Sequence, residues 1–333
     1  MKRIAWVDAA RGFAIILVVF GHVLGGVMSR RWLDGEGLYR AIYNYIYLFH
    51  MPLFFMISGL FCIEAMRKSP INAFISRTES IASPYIFWDF FVRTAALPLI
   101  GAFMSNPPSD IGWHARLEQA LTGEVSWFLW TLYVMQILLI PFARMPIWVL
   151  FLVSLAVSLY LPNSHLGTIN SVVDHLPFLL FGAMLQPFLS RLKSANHWRP
   201  LLLALGAFLF VGIALLLGWT EHKTVWFLCG IAGSLASVFL VQYLGETIEL
   251  KLLANLGIAS LAIYVLHPYF QGLARELLLR IFGASPVWQL IIPTIIAIVG
   301  PYIVWRVSQH NGLFWLFRLR LPNIMIHSGP NIK

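Results

Sequence analysis

The chain has 333 residues, of which 59% are hydrophobic and only 11% are charged, with a mean hydropathy of +0.78. Soluble domains carry roughly 25% charged residues, so this composition excludes an ordinary soluble protein. The net charge of +9 does not indicate nucleic acid, because excess Lys and Arg in membrane proteins usually mark cytoplasmic loops. The hydrophobic residues lie in blocks about 20 residues long, the length of a transmembrane helix. The sequence therefore predicts an all-α, polytopic membrane protein.

The apolar blocks predict ten transmembrane helices in a single membrane domain over residues 1–333, with no appended soluble domain. The predicted spans are Ala9–Met28, Ala41–Glu64, Ser80–Phe103, Val125–Phe142, Pro146–Leu161, Ser171–Leu189, Pro200–Gly218, Val225–Gly245, Leu253–Leu279 and Pro286–Val307. With a cytoplasmic N-terminus, fifteen Lys and Arg residues fall in inside segments and seven in outside segments, which favours both termini inside. The tail of the ninth block, from Ala274, suggests an interfacial helix that carries Arg275, Glu276 and Arg280.

The first predicted span combines an acid, a guanidinium and an imidazole: Asp8, Arg11 and His22, with ten residues between the last two. Its polar start and the lack of a convincing cleavage site indicate that it is not a removable signal peptide. Because an ionisable group at bilayer depth costs about 3 kcal/mol or more, each is a functional-site hypothesis. Alternatively, Arg11 could simply extend to the cytoplasmic headgroups with Asp8 as its partner.

Two further histidines, His50 in the second span and His267 in the ninth, are each followed closely by a proline that is expected to kink the helix. At a rise of about 1.5 Å per residue, His22 and His267 lie roughly 20 Å along their spans, and His50 about 14 Å from the opposite end. In a core about 30 Å thick, all three imidazoles then lie in the outer half, as does Arg93. A single membrane histidine is more often a packed, hydrogen-bonded residue, but three at one level favour a site.

Other candidates have simpler explanations. No His, Cys, Asp or Glu group shows metal-ligand spacing, and neither a phosphate loop nor a Gly-x-Ser-x-Gly motif is present. His175 and Asp174 lie near the predicted outer surface, where solvation alone explains them, and Trp127–Trp130 is typical of an interfacial aromatic belt. Ser58 is interpreted as a packing residue. Imidazole chemistry or proton movement remains, so an enzyme, a transporter or proton-coupled permease, and an inactive structural partner stay open.

The order of the motifs resembles the membrane-bound acyltransferase 3 family. Arg11, ten intervening residues and His22 are followed by Phe-x-x-Pro-x-Phe-Phe-x-x-Ser-Gly in the second span, and the Ser260–His267 stretch resembles the late family motif of Ser-Leu, an aromatic residue and His. Further fits are Trp6-Val7-Asp8, Pro84-Tyr85 after Arg77, and Trp127-Phe128-Leu129. The likeness covers nearly the whole chain, whose start and length look most similar to the fucose 4-O-acetylase-like branch.

The resemblance implies a multi-pass O-acetyltransferase of the bacterial inner membrane. Its expected donor is cytosolic acetyl-CoA, and its expected acceptor is a hydroxyl of a cell-surface or exported carbohydrate, such as exopolysaccharide, O-antigen or a lipid-linked sugar. Neither a metal nor a nucleic acid partner is expected.

Chemical roles follow for the candidate residues. His22 is expected to be the general base, with a transient acyl-histidine as the alternative route. Arg11 is expected to hold phosphate or pantetheine parts of CoA, since a guanidinium pairs well with phosphate. The remaining assignments are cofactor binding for Asp8 and Arg77, contact with the acceptor or orientation of His22 for His50 and His267, and oxyanion or acceptor contact for Arg93.

Overall fold

The computed structural model describes residues 4–30, 36–92, 126–162, 166–189, 198–247, 250–283 and 285–318, with isolated positions between 114 and 122 and at 164. Within these ranges the chain is helical and contains no strand, which confirms the all-α class. The helices are α1 (Ala5–Ser29), α2 (Glu36–Tyr47), α3 (His50–Lys68), α4 (Pro70–Arg77), α5 (Trp127–Leu139), α6 (Ile147–Tyr160), α7 (Gly167–Leu189), α8 (Trp198–Leu216), α9 (Lys223–Thr247), α10 (Lys251–Ile258), α11 (Ser260–Phe282) and α12 (Pro286–His310). Two π-helical segments, Thr78–Ala82 and Ile86–Val92, follow α4.

Six stretches of the described chain are long and apolar enough to cross a membrane: α1, α2 with α3, α7, α8, α9 and α12. A seventh is present if α10 and α11 form one bent span, and α5 and α6 are shorter apolar helices. Exposed side chains such as Leu202, Leu205 and Leu209 give α8 an apolar outer face suited to lipid. The polytopic membrane architecture is thus confirmed, while the count of ten and the cytoplasmic termini stay predictions.

Helix α1 lies at the centre of the bundle, packed against α2, α3, α9, α10, α11 and α12. Its closest approach is to α10, where a Cβ on Gly12 would overlap the carbonyl oxygen of Leu253 and one on Gly257 would overlap that of Asp8. Backbones approach this closely only where glycine leaves room. The crossing holds the first turns of α1, with Asp8 and Arg11, against the chain that leads into α11.

The ninth predicted span bends at a different place from the one expected. Helices α10 and α11 are separated at Ala259 and meet at 79°, and α11 then runs unbroken to Phe282. The tail from Ala274, predicted as an interfacial helix, is therefore not a separate helix, because this segment continues α11. Pro268 lies inside α11 and does not end it.

The second predicted span is broken just before His50 rather than kinked at its proline. Helix α2 ends at Tyr47 and α3 begins at His50 after the cap residue Phe49. Pro52 consequently lies in the first turn of α3, where the backbone amides have no helical partner and proline is tolerated. The proline is therefore compatible with a helix start, and His50 is the first residue of α3.

Candidate active site

The structure brings together two of the candidate imidazoles, His22 on α1 and His267 on α11. His267 Nε2 lies 3.1 Å from His22 Nδ1, and the two ring centroids are 5.0 Å apart. His267 is buried, whereas His22 is exposed. The pair thus has one enclosed ring and one ring next to open space.

The contacts of His267 determine which ring nitrogens carry protons. Its Nδ1 lies 2.7 Å from the carbonyl oxygen of Tyr264 and 3.1 Å from that of Ile263. Because carbonyls only accept hydrogen bonds, Nδ1 is the protonated nitrogen, and Nε2 of the neutral ring is an acceptor. His22 then donates from Nδ1, which leaves a lone pair on its own Nε2. The arrangement presents His22 Nε2 as a base.

His50 packs against Tyr47. Within the described ranges, no hydrogen bond joins His50 to His22 or His267. It is buried, its Nδ1 donates to the Ile46 carbonyl at 2.8 Å, and its ring centroid lies 4.5 Å from that of Tyr47. The Tyr47 ring lies in turn against Gly21, the residue before His22. His50 is thus placed to hold Tyr47 in position beside His22, and it is less well placed to contact a reacting group.

A cavity of about 360 Å³ lies beside the first turns of α1. Its lining residues are Asp8, Arg11, Phe54, Ser58, Ser80, Ile81, Phe128, Leu129, Leu132, Gly257, Ile258, Ser260, Leu261 and Tyr264. Apolar and aromatic walls with a few polar groups are typical of small-molecule sites. Ser58, interpreted from the sequence as a packing residue, contributes to this lining.

Tyr264 separates the cavity from the histidine pair. Its ring centroid lies 5.4 Å from that of Phe128 and 6.0 Å from that of His267. Arg11, which also lines the cavity, is partly exposed and forms an ion pair with Asp8, with 3.6 Å between Arg11 Nη1 and Asp8 Oδ1. Arg11 and His22 are about 16 Å apart along α1. The cavity is lined by Arg11 at one side and by Tyr264 at another, and only the Tyr264 ring lies between it and His267.

Arg77 is not among the cavity-lining residues, but it ends α4 directly before the π-helical turn that contributes Ser80. Its Nε is buried without a hydrogen-bond partner, and burial lowers the pKa of its guanidinium. Nearby, Arg318 pairs with Glu79 at 3.7 Å. Arg93 lies outside the described residues, so its assignment stays a prediction.

His175 packs among aromatic rings, which differs from the solvated position expected for it. Its ring centroid lies 4.9 Å from that of Phe55, 5.2 Å from that of Trp127 and 5.8 Å from that of Trp226. Its Nδ1 donates to the Ser171 carbonyl at 2.9 Å. Trp127 therefore packs against an imidazole, a contact that an interfacial belt does not require.

Two polar residues of α11 were not among the site residues predicted from the sequence, which passed over Gln271 and interpreted Arg275 as interfacial. Gln271 and Arg275 follow His267 at intervals of four, and Gln271 Nε2 donates to the His22 carbonyl at 3.4 Å. Arg275 is buried and donates from Nη2 to the Val23 carbonyl at 3.3 Å. The signal that could have found them is the spacing of four, which places side chains on one face of a helix.

Comparison with known proteins gives one family match and two partial relatives. The acyltransferase 3 profile, described as an acyltransferase domain, matches residues 4–306. The nodulation protein NolL of Mesorhizobium japonicum is 30% identical over 159 residues, which cover 45% of this chain and 40% of the relative. NolL of Sinorhizobium fredii is 33% identical over 128 residues, covering 37% of this chain and 32% of the relative. The aligned segment thus spans less than half the length of each relative, and no solved structure matches the chain.

Proposed function

This chain belongs to the acyltransferase 3 family, and from that premise we propose that it transfers an acetyl group from acetyl-CoA to a carbohydrate hydroxyl. One observation carries the proposal. The cavity that begins at Asp8 and Arg11 lies on one side of Tyr264 and His267, and the exposed His22 lies on the other. In this proposal the protein lies in a bacterial inner membrane, and its acceptor is an exported or surface carbohydrate.

Acetyl-CoA fits the side of the protein that carries Arg11. Its guanidinium offers a fork of donors that matches phosphate oxygens, and Ser80 and Ser260 add hydroxyls along the same cavity. The pantetheine arm would lie between the apolar walls, while the bulky nucleotide stays at the cytoplasmic mouth, near Arg77. The thioester must then pass Tyr264 to reach His22.

Transfer proceeds in one displacement in this proposal. His22 Nε2 takes the proton from the acceptor hydroxyl as its oxygen attacks the thioester carbonyl carbon. The carbon–sulfur bond breaks, the acetyl ester is left on the acceptor, and the CoA thiolate takes the proton back from the His22 imidazolium. His267 Nε2 accepts the hydrogen bond from His22 Nδ1 throughout, so it keeps the base in the productive tautomer.

Free thiol release tests the function. Purified protein in detergent, given acetyl-CoA and a carbohydrate acceptor, is expected to release CoA thiol only when the acceptor is present, with one acetyl ester formed per thiol. A transporter would bind and move a solute without releasing thiol, so a complete absence of acceptor-dependent thiol would contradict the proposal.

Arg11→Ala is expected to raise the KM for acetyl-CoA by about 10- to 100-fold, because a charge-assisted phosphate contact is lost. The KM for the acceptor should change little, since the acceptor meets His22 about 16 Å away along α1. The matched control is Arg144→Ala, which removes an exposed cation away from the cavity. Equal binding of labelled acetyl-CoA by wild type and the Arg11 variant would make Arg11 structural.

His267→Ala is expected to lower kcat about 100-fold, because His22 loses the acceptor that holds its tautomer and stabilises its protonated form. His267→Gln, whose side-chain oxygen can accept the same hydrogen bond, should recover part of kcat. Steady-state kinetics over a range of pH provide the measurement, with a displaced activity profile expected for the alanine variant. An unchanged profile and equal loss in both variants would reduce His267 to a packing residue.

A further inference from the structure

A polar strip on α11, formed by His267, Gln271 and Arg275, faces the second half of α1. Each member contacts α1 at or next to His22: the first through its ring, the second through the His22 carbonyl and the third through the Val23 carbonyl. Gln271 Oε1 and Arg275 Nε are buried without a hydrogen-bond partner. The strip therefore extends the catalytic pair outward with groups whose hydrogen-bonding capacity is unused.

Arg275 is a buried cation without a counter-charge among the residues that the structure describes. It is only 8% exposed, and no carboxylate lies within ion-pair distance of it there. Glu276 is its neighbour in sequence, but adjacent residues point about 100° apart on a helix. The charge that acts on Arg275 is instead the like charge of Arg30, at the end of α1. A buried guanidinium without a counter-charge favours an anion beside it.

The guanidinium of Arg275 is held one helical turn from the catalytic base. It lies against Gly26, where any Cβ would overlap both of its terminal nitrogens. Gly26 follows His22 by four residues on the same face of α1, about 6 Å further along the helix. An anion at Arg275 would thus lie about one sugar ring away from a hydroxyl at His22.

We propose that Arg275 binds a phosphate group attached to the sugar acceptor and so positions the sugar hydroxyl at His22. This inference rests on the proposed acetyl transfer, and it adds the chemical class of the acceptor, a sugar phosphate. Gln271 Oε1, between the two, is the acceptor for a second sugar hydroxyl. The phosphate can belong to a soluble sugar phosphate or to a lipid-linked one, and the two sources require separate measurements.

Binding by purified protein in nanodiscs tests the site with three probes: methyl fucoside, fucose 1-phosphate and polyprenyl-phosphate-linked fucose. Wild type is expected to bind a phosphorylated probe at least about tenfold more tightly than the neutral glycoside, since a guanidinium–phosphate contact is charge-assisted. Tighter binding of the soluble or of the lipid-linked phosphate identifies the source. Binding of both phosphorylated probes no tighter than that of methyl fucoside contradicts the proposal.

Four variants separate recognition from general electrostatics. Arg275→Gln should remove the preference for phosphate, and Arg275→Lys should retain part of it. Gly26→Ala should also remove the preference although the charge is kept, because the new methyl displaces the guanidinium. Arg280→Gln removes the same charge from an exposed position on α11 and should leave the preference intact. If Arg275→Gln weakens all three probes equally, Arg275 binds a membrane phospholipid or is structural, and the proposal fails.

Thiol release measured in the same preparations distinguishes this inference from the proposed function. A phosphate preference that depends on Arg275, without acetyl transfer to any probe, contradicts the transferase and leaves the anion site standing. Equal transfer to neutral and phosphorylated sugars, unaffected by Arg275→Gln, contradicts only the anion site.

Discussion

His22→Ala is expected to lower acetyl transfer by about 10³-fold, within the range that general-base catalysis contributes. The reason is geometric: His22 Nδ1 is engaged by His267 Nε2, so the Nε2 lone pair of His22 is directed to the exposed side, where an acceptor hydroxyl can approach. Acceptor-dependent thiol release by the purified variant, at matched protein concentration, is the measurement.

The matched control for this prediction is His222→Ala, which removes an exposed histidine in the turn before α9. Both variants should insert and purify like wild type, since neither removes a buried side chain. Transfer by the His22 variant at more than a tenth of the wild-type rate would exclude His22 as the base.

Gly257→Ala is expected to destabilise the protein by roughly 3 kcal/mol, because the new methyl overlaps the carbonyl oxygen of Asp8 and backbone atoms cannot move aside as side chains do. The helices α1 and α10 would have to separate, which moves Arg11 away from the cavity wall formed by Gly257 and Ser260. Thermal unfolding in detergent should show a lowered midpoint, and the KM for acetyl-CoA should rise in whatever protein remains folded.

Gly206→Ala provides the control for the same chemical change. Gly206 lies on α8, and a Cβ there meets no atom within 4 Å. This substitution should leave the unfolding midpoint unchanged or raise it slightly, since alanine favours the helix over glycine by about 1 kcal/mol. Equal unfolding midpoints for the two variants would show that the crossing of α1 and α10 does not limit stability.

Much of the framework was predictable because it depends on hydropathy and helical rise alone. The first span was expected at Ala9–Met28 and is found at Ala5–Ser29, and the resemblance that started from Arg11 and His22 is confirmed by the family match over residues 4–306. Depth arithmetic placed His22 and His267 at the same height, and the structure joins them. Counting residues along apolar helices predicts such heights because helical rise is nearly constant.

The parts that could not be predicted depend on contacts between distant segments. The bend at Ala259 lies in a continuous apolar block, nine residues before its proline, Pro268, so the proline does not mark it. The crossing of Gly12 and Gly257 becomes evident only when two helices are placed together. Arg275 looked interfacial because a charge after an apolar block is usually solvated. Its burial follows from a partner helix that offers the Val23 carbonyl and the space above Gly26.

In the proposed reaction, donor and acceptor reach His22 from opposite sides of the protein. Sealed proteoliposomes test this directly, with membrane-impermeant acetyl-CoA outside and a sugar acceptor enclosed within. We expect acetyl ester on the enclosed acceptor with wild type and none with His22→Ala. Ester formed only when acetyl-CoA and the acceptor share one compartment would contradict the account.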